Sequence, residues 1–127
     1  MAGFAVMLGL AGVAVRTVTA AGASETDVVY GEAGGTKLKL DVYRPTDEVA
    51  VKHVGIVLIH GGGWTSFDKS TMDAAGRWLA RNGYVAFSID YRLLSGTKNQ
   101  WPAQLDDAQL AVRWIRANAK TYDIDPA

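Results

Sequence analysis

The chain has 127 residues, of which 49% are hydrophobic, and its 13 Lys and Arg residues balance its 13 Asp and Glu residues. This is an ordinary globular composition, and a formal net charge of zero argues against binding to the phosphate backbone of a nucleic acid. With no cysteine and two histidines, the chain offers no disulfide framework, no thiol nucleophile and too few ligands for a structural zinc ion.

The N-terminal segment has two interpretations. Residues 1–15 carry no charge, a stretch too short to span a bilayer but long enough for the apolar region of an export signal. Ala21-Gly22-Ala23 offers a cleavage site, although no basic residue precedes the apolar stretch and Arg16 follows it. We therefore predict either a signal peptide over residues 1–23 of a periplasmic or secreted protein, or an apolar helix that packs on a cytoplasmic domain.

Alternating apolar and polar residues between positions 28 and 43 predict an antiparallel hairpin. Gly34-Gly35 supplies the turn and Arg44-Pro45 ends the second strand. The alternation predicts one buried and one solvated face. The apolar set is Val28, Tyr30, Leu38, Leu40 and Val42.

Two later segments, residues 54–59 and 84–89, are apolar on both faces and predict buried strands, the first of them central in the sheet. Residues 70–81 predict a helix that begins with a capping box of Ser70 and Asp73 and ends at Asn82-Gly83. A second, amphipathic helix is predicted over residues 103–119. Hairpin, strand, helix, strand, helix is the order expected of a mixed α/β sheet.

A glycine cluster, His60-Gly61-Gly62-Gly63-Trp64, follows the first buried strand, where open α/β sheets bind ligands. Three glycines let the backbone approach a substrate and turn its N–H groups towards one point, as an oxyanion hole requires. The alternative is a plain glycine-rich turn. A P-loop would need glycine directly before Lys69-Ser70, where Asp68 stands, and a dinucleotide fingerprint would need glycine at Ser66.

Four segments of the chain resemble, in their residues and in their order, the α/β-hydrolase superfamily, and more narrowly the esterases of the hormone-sensitive-lipase type and their feruloyl-esterase-like relatives. The resemblance covers about residues 28–127 and implies the N-terminal half of that fold, as a partial domain over residues 24–127 truncated before the nucleophile strand. The segments are Asp41-Val42-Tyr43-Arg44-Pro45, His60-Gly61-Gly62-Gly63-Trp64, Asp90-Tyr91-Arg92-Leu93, and Trp101-Pro102-Ala103-Gln104 with Asp107 and Ala111-Val112-Arg113-Trp114.

The resemblance also implies roles within the glycine cluster. The main-chain N–H groups of Gly62 and Gly63 would hold the oxyanion of an acyl-transfer intermediate, and Gly61 would serve the turn. His60 would anchor the loop by hydrogen bonding and would not be the catalytic base. For Trp64 two roles stay open, one shaping the pocket and one filling the core.

The remaining polar candidates receive structural interpretations. Asp90 and Arg92 are expected to form an ion pair or to anchor a loop, and His53 is expected to be a solvated surface residue. Asp106 and Asp107 are neighbours on a helix and do not face one site, so we expect both to interact with the helix dipole. Three of the four tryptophans are expected to fill the core: Trp78, Trp101 and Trp114.

The catalytic residues of the family are not recognisable in the sequence. Their order is Ser, then Asp or Glu, then His, with the Ser in G-x-S-x-G, and no serine here has that context. Ser24, Asp47 and His60 occur in the required order, but Ser24 lies next to the predicted cleavage site and on no strand-to-helix elbow, so we reject this triad. The catalytic residues are therefore expected beyond Ala127.

The sequence thus predicts the N-terminal fragment of a serine hydrolase that acts on small-molecule carboxylic esters through an acyl-enzyme. Amides are an alternative substrate because the same loop accepts either carbonyl. By itself the chain is expected to be inactive. In the family's strand order residues 54–59 lie beside the nucleophile strand, so without that strand we expect them to form an open, aggregation-prone edge. No metal ion, organic cofactor or nucleic-acid partner is implied. The other hypothesis is a non-catalytic α/β-hydrolase-like binding or interaction module.

Overall fold

A computed structural model describes residues 23–46 and 53–127 of the chain. The two interpretations of the N-terminal segment concern residues outside this part, as does Asp47. The described elements, in chain order, are the strands and helices β1 (Glu25–Ala33), β2 (Thr36–Tyr43), β3 (Gly55–Ile59), a 3-10 turn (Lys69–Met72), α1 (Asp73–Arg81), β4 (Val85–Ile89) and α2 (Ala103–Ala117).

The four strands form one mixed sheet in the order β1-β2-β4-β3. β1 pairs with β2 and β2 pairs with β4 in antiparallel fashion, whereas β3 and β4 are parallel and are connected through α1. The predicted hairpin is confirmed, since Ala33 pairs with Thr36 across Gly34 and Gly35, both of which have positive φ. The predicted α/β class is confirmed as well.

The solvated face that the alternation predicts is present over only part of the hairpin, where Val29 and Lys37 are exposed and the Lys39 side chain is 43% exposed. On one face of β2, Leu38, Leu40 and Val42 join the core beneath α2. On the other face, Tyr43 is buried against α1. The ring of Tyr43 approaches Gly76 so closely that a Cβ at position 76 would lie 2.5 Å from Cδ2 of the tyrosine. The prediction is wrong for Asp41 and Tyr43, because Lys69 of the 3-10 turn covers the first and α1 covers the second.

Residues 54–59 correspond to β3, which is an edge strand of the described sheet, as expected for the chain without the family's nucleophile strand. Its residues are only partly buried, and Ile59 is 53% exposed. The inner position belongs to β4, all five residues of which are buried, as predicted for residues 84–89. An apolar groove of about 320 Å³ lies between β3 and α2. It is lined by Val57, Ile59, Ala108, Gln109, Val112, Arg113 and Arg116.

The first helix begins differently from the prediction. Asp68 accepts a hydrogen bond from the backbone N–H of Ser70 (2.8 Å) and so caps the 3-10 turn. Asp73 does not form a capping box with Ser70, because its carboxylate binds Arg77 (2.7 Å) and the hydroxyl of Tyr43 (3.1 Å). The predicted end at Asn82-Gly83 is confirmed by the positive φ of Gly83.

The second helix, α2, covers one face of the sheet, and Ala111 and Ile115 are among its buried residues. Trp114 packs partly buried against this core, as predicted. Trp78 and Trp101 do not fill the core, since they are 57% and 59% exposed. Within residues 23–46 and 53–127, no helix has the length and apolar character needed to cross a bilayer.

Candidate active-site loop

The glycine cluster forms a tight loop directly after β3. Gly62, Gly63 and Trp64 have φ angles of 108°, 60° and 66°, so three successive residues are in the left-handed region. A Cβ at Gly62 would overlap the carbonyl oxygen of Ser66. The backbone N–H of Thr65 donates to the carbonyl of Gly62 (3.1 Å) and closes the turn. Glycine is therefore required at position 62 by both its backbone conformation and its surroundings.

The backbone N–H groups of this loop are available as donors. Among the described residues, no acceptor is hydrogen-bonded to the N–H of Gly62 or of Gly63. A Cβ placed on Gly61 or Gly63 would meet no atom within 4 Å, so the backbone there faces open space. The carbonyl of Gly62, in contrast, also accepts the hydroxyls of Thr65 (3.2 Å) and Ser66 (3.0 Å). The loop thus turns a carbonyl inwards and leaves successive N–H groups free, an arrangement suited to an anion.

His60 begins the loop and is held on several sides. It is 3% exposed, its Nδ1 lies 2.8 Å from the carbonyl oxygen of Gly61, and its ring stacks on Tyr91 with centroids 4.3 Å apart. The Tyr91 hydroxyl donates to the carbonyl oxygen of His60 (2.8 Å). Because a carbonyl can only accept, Nδ1 is the protonated nitrogen of this imidazole. A histidine fixed in this way has little free surface from which to serve as a general base.

Trp64 lies at the surface and not in the core. It is 49% exposed, and its ring stacks on Trp101 at a centroid distance of 5.2 Å and an interplanar angle of 22°. The backbone N–H of Leu94 donates to the carbonyl oxygen of Trp64 (2.7 Å). The core-filling alternative for Trp64 is therefore wrong. Sequence reasoning missed the contact with Trp101, because no periodic pattern relates two residues in separate loops.

Lys69 fixes the far end of the loop to the sheet. Its backbone N–H donates to Asp90 Oδ1 (2.8 Å), and its carbonyl accepts the hydroxyl of Ser88 (2.8 Å). Its ammonium group binds the carboxylates of Asp41 (2.9 Å) and Asp27 (3.2 Å). Burial opposes the charge on Lys69, but the hydrogen bonds and attraction from the two carboxylates outweigh burial and raise the pKa of Lys69. Both carboxylates belong to the hairpin.

The expected ion pair between Asp90 and Arg92 is not present. Asp90 receives the Lys69 N–H instead, and burial raises the pKa of the Asp90 carboxyl. Arg92 binds Asp107 through Nε (2.9 Å) and Nη2 (2.8 Å), and its backbone N–H also donates to that carboxylate (2.8 Å). Each residue does have an anchoring role. Asp107 is not a helix-dipole residue, whereas its exposed neighbour Asp106 does lie in the first turn of α2.

Two further sequence expectations concern residues outside the loop. His53 is not simply solvated: its Nδ1 lies 2.7 Å from the carbonyl oxygen of Gly83, and its backbone pairs with the segment around Ile124. Ser24 accepts the backbone N–H of Arg44 (3.0 Å), so its hydroxyl caps the end of β2. This contact gives no support to the rejected triad. In the part of the chain that the structure describes, no three His, Asp or Glu residues are grouped to hold a metal ion.

Comparison with known proteins places this chain in a family. The BD-FAE family model matches residues 40–127. The probable carboxylic ester hydrolase LipM of Mycobacterium tuberculosis is 30% identical over 106 residues, which are 82% of this chain and 24% of LipM. Carboxylesterase NlhH of the same species is 34% identical over 101 residues, which are 76% of this chain and 30% of NlhH.

A solved structure agrees with these sequence matches. The esterase Est2 of Thermogutta terrifontis superposes with a TM-score of 0.75 at 32% identity, over 82% of this chain and 37% of that one. The chain therefore spans less than a third of the length of these two curated relatives and well under half of the solved esterase. On the family match and the shared fold together, the chain belongs to the BD-FAE family, within the α/β-hydrolase esterases.

Proposed function

We propose that this chain supplies the oxyanion-hole loop of a carboxylic ester hydrolase. The observation that carries the proposal is the pair of N–H groups on Gly62 and Gly63, which have no acceptor among the described residues, with open space around Gly63. They follow directly on β3, at the end of the parallel strands where α/β folds bind their ligands. His60 and Gly61 would support the loop, and Trp64 would line the substrate side.

The chemistry follows from where charge develops during ester hydrolysis. When a nucleophile attacks the ester carbonyl, the carbonyl oxygen becomes an oxyanion, and fixed N–H donors stabilise it without reorganisation. Loss of one such donor typically lowers kcat by about 10²–10³-fold. Free N–H groups that are already held in place suit this task, because their orientation costs nothing during the reaction.

We propose that the nucleophile and its partners come from sequence outside these 127 residues. A serine in G-x-S-x-G would attack the carbonyl carbon and pass its proton to a histidine, which then protonates the departing alkoxide. Water would hydrolyse the acyl-enzyme by the reverse route. The T. terrifontis esterase is phosphorylated by paraoxon, and structures of it contain propionate or butyrate. By analogy, we infer a covalent intermediate and a small ester substrate for this protein, with amides as the alternative.

A non-catalytic interaction module is the second candidate, and the apolar groove between β3 and α2 favours it. That groove and the unpaired edge of β3 would accept a strand from another chain. The two candidates differ in what lies beyond codon 127. An esterase requires a short apolar strand that leads into G-x-S-x-G within about 15 residues, followed by Asp or Glu and then His.

The deciding experiment is to sequence the locus past codon 127 and to express the longest reading frame found there. If it contains the serine elbow, hydrolysis of p-nitrophenyl acetate should depend on the glycine loop. Gly63→Ala is the test, and Gly35→Ala is its matched control. Both positions have positive φ and no atom within 4 Å of the added Cβ, so the backbone strain is alike.

Gly63→Ala should lower kcat/KM by up to about 10²-fold, because it misaligns the donors, whereas Gly35→Ala should leave kcat/KM within about twofold of the unmodified protein. Equal effects of the two substitutions would refute the oxyanion role. An intergenic region without a serine elbow in any of the three frames would leave the interaction module as the better hypothesis.

A further inference from the structure

We propose that Trp101 is a positioning residue for the glycine loop. Its ring holds Trp64 in the left-handed conformation and thereby fixes the backbone of Gly62 and Gly63. The catalytic meaning of this role rests on the proposed function, but the structural claim can be tested without any catalysis.

The conformation of Trp64 needs support from outside the loop. A bulky residue with φ of 66° is an outlier that persists only where its surroundings enforce it. At Gly62 the conformation is held by hydrogen bonds to its carbonyl, which the backbone N–H of Thr65 and the hydroxyls of Thr65 and Ser66 donate. At Gly63 no hydrogen bond from another described residue does so, and the space beside it is open. The orientation of the Gly63 N–H therefore depends on how firmly Trp64, the next residue, is held.

Two contacts hold Trp64, and both come from the segment between β4 and α2. The backbone N–H of Leu94 binds the carbonyl of Trp64 at 2.7 Å, and Trp101 stacks on its ring. This segment is itself rigidly attached to α2, because Arg92 binds Asp107 and the Gln104 amide donates to the carbonyl of Arg92 (3.0 Å). The stack of Trp101 on Trp64 thus fixes the glycine loop relative to a segment that is itself anchored to α2.

The exposure of both rings separates this role from core packing. Trp64 and Trp101 are 49% and 59% exposed and belong to neither hydrophobic cluster of the fold. Removing the Trp101 ring should therefore loosen the loop and leave the core intact. Trp78 is the matched control, since it is 57% exposed on α1 and stacks on no aromatic ring among the described residues.

The test is millisecond hydrogen exchange followed by mass spectrometry on the 127-residue chain with Ile59→Lys, a charge that disfavours association through the edge of β3, and on its Trp101→Ala, Trp101→Phe and Trp78→Ala variants in the same background. The reporting amides are those of Thr65, which donates to Gly62, and of Leu94, which donates to Trp64. In Trp101→Ala, peptides that cover them should exchange about 2- to 10-fold faster, the range that corresponds to the usual strength of an aromatic pair. Trp101→Phe should restore slow exchange, and Trp78→Ala should leave these peptides unchanged.

Unchanged exchange at both amides in Trp101→Ala would overturn the proposal, and so would acceleration in Trp101→Phe equal to that in Trp101→Ala. If Trp101→Ala accelerates exchange throughout the chain, Trp101→Leu replaces it, because leucine keeps an apolar side chain without a stacking ring. A local acceleration then supports the proposal and its absence overturns it. No ester is hydrolysed in this experiment, so its result is independent of whether the glycine loop is an oxyanion hole.

Discussion

Ile59 and Val29 lie on opposite edges of the same sheet and are similarly exposed, at 53% and 46%, yet their surroundings differ. Val29 belongs to β1, which has two register irregularities and carries Glu25, Asp27 and Glu32. Ile59 ends β3, which is regular, has no charged residue and borders the apolar groove. Bulges and charges protect a strand edge from pairing with other chains, and a flat apolar edge invites such pairing.

The first prediction is that the 127-residue chain self-associates through β3. Ile59→Lys should shift it towards monomer, because a charged side chain on the edge disfavours pairing, while Val29→Lys should leave the association unchanged. Sedimentation velocity measures both. The prediction fails if the unmodified chain is a soluble monomer with a cooperative thermal transition, or if the two lysine variants behave alike.

The second prediction concerns the buried pair of Arg92 and Asp107. Asp107 is 1% exposed, so Asp107→Asn leaves a guanidinium without its partner and should lower the free energy of unfolding by about 3 kcal/mol. Asp106→Asn, in the same helical turn but exposed, should change it by less than about 0.5 kcal/mol. Urea unfolding in the Ile59→Lys background gives both values, and a similar loss in the two variants would contradict the assignment.

The third prediction is a pH dependence of opposite sign at two carboxyl groups. Burial raises the pKa of Asp90 above its ordinary value of 3.8, so the folded state binds the proton more tightly than the unfolded state. Stability due to Asp90 is therefore present at low pH and falls as the pH rises above 3.8. Hydrogen bonds from Ser70 lower the pKa of Asp68, so its stabilising contribution is lost as the pH falls below 3.8.

Urea midpoints measured from acidic to neutral pH in the Ile59→Lys background provide the test. Asp90→Asn, which keeps an acceptor for the Lys69 N–H, should remove a decrease of stability with rising pH. Asp68→Asn should remove an increase of stability with rising pH, which lies at more acidic pH than the decrease due to Asp90. Difference curves of the same sign for the two variants would show that the environments of these carboxyls are misassigned.

The fourth prediction is that the 127-residue chain shows no serine-hydrolase reactivity, because donors for an oxyanion accelerate nothing without a nucleophile. A fluorophosphonate probe should label no serine, and p-nitrophenyl acetate should be hydrolysed at the rate of the buffer. Denatured chain at the same concentration is the control for non-specific acylation. Stoichiometric labelling of any serine in the folded chain alone would contradict the prediction.

Local patterns in the sequence predict most of the fold. Gly34-Gly35 and Asn82-Gly83 mark a turn and a helix end because each needs a left-handed backbone. Local patterns do not predict the place of β3 in the sheet. The apolar residues of a strand indicate that its faces tend to be buried, but not which strand or helix packs against them. The edge position of β3 follows from strand order, which the family resemblance implies and no local pattern encodes.

The glycine loop is visible in the sequence, but the contacts that hold it are not. The three glycines are adjacent, whereas Trp64 and Trp101 or Lys69 and Asp41 meet only after the sheet has formed. The prediction for Asp107 is wrong for the same reason. In the sequence it stands near the start of a predicted helix, which suggests a dipole role, and only the path of the segment after β4 brings Arg92 to it.

The ion pairs of Lys69 with Asp27 and Asp41 tie the segment that follows the glycine loop to the N-terminal hairpin. Asp27 and Asp41 supply no atom to the glycine loop, yet they hold the side chain of the residue at which the loop joins the sheet. A shortened protein that begins at β3 would keep the three glycines of the loop but would lose the carboxylates of Asp27 and Asp41 that bind Lys69. We therefore expect the smallest unit that presents this loop in its folded shape to begin before residue 27. Strands β1 and β2 support the site as directly as β3, the strand from which the loop emerges.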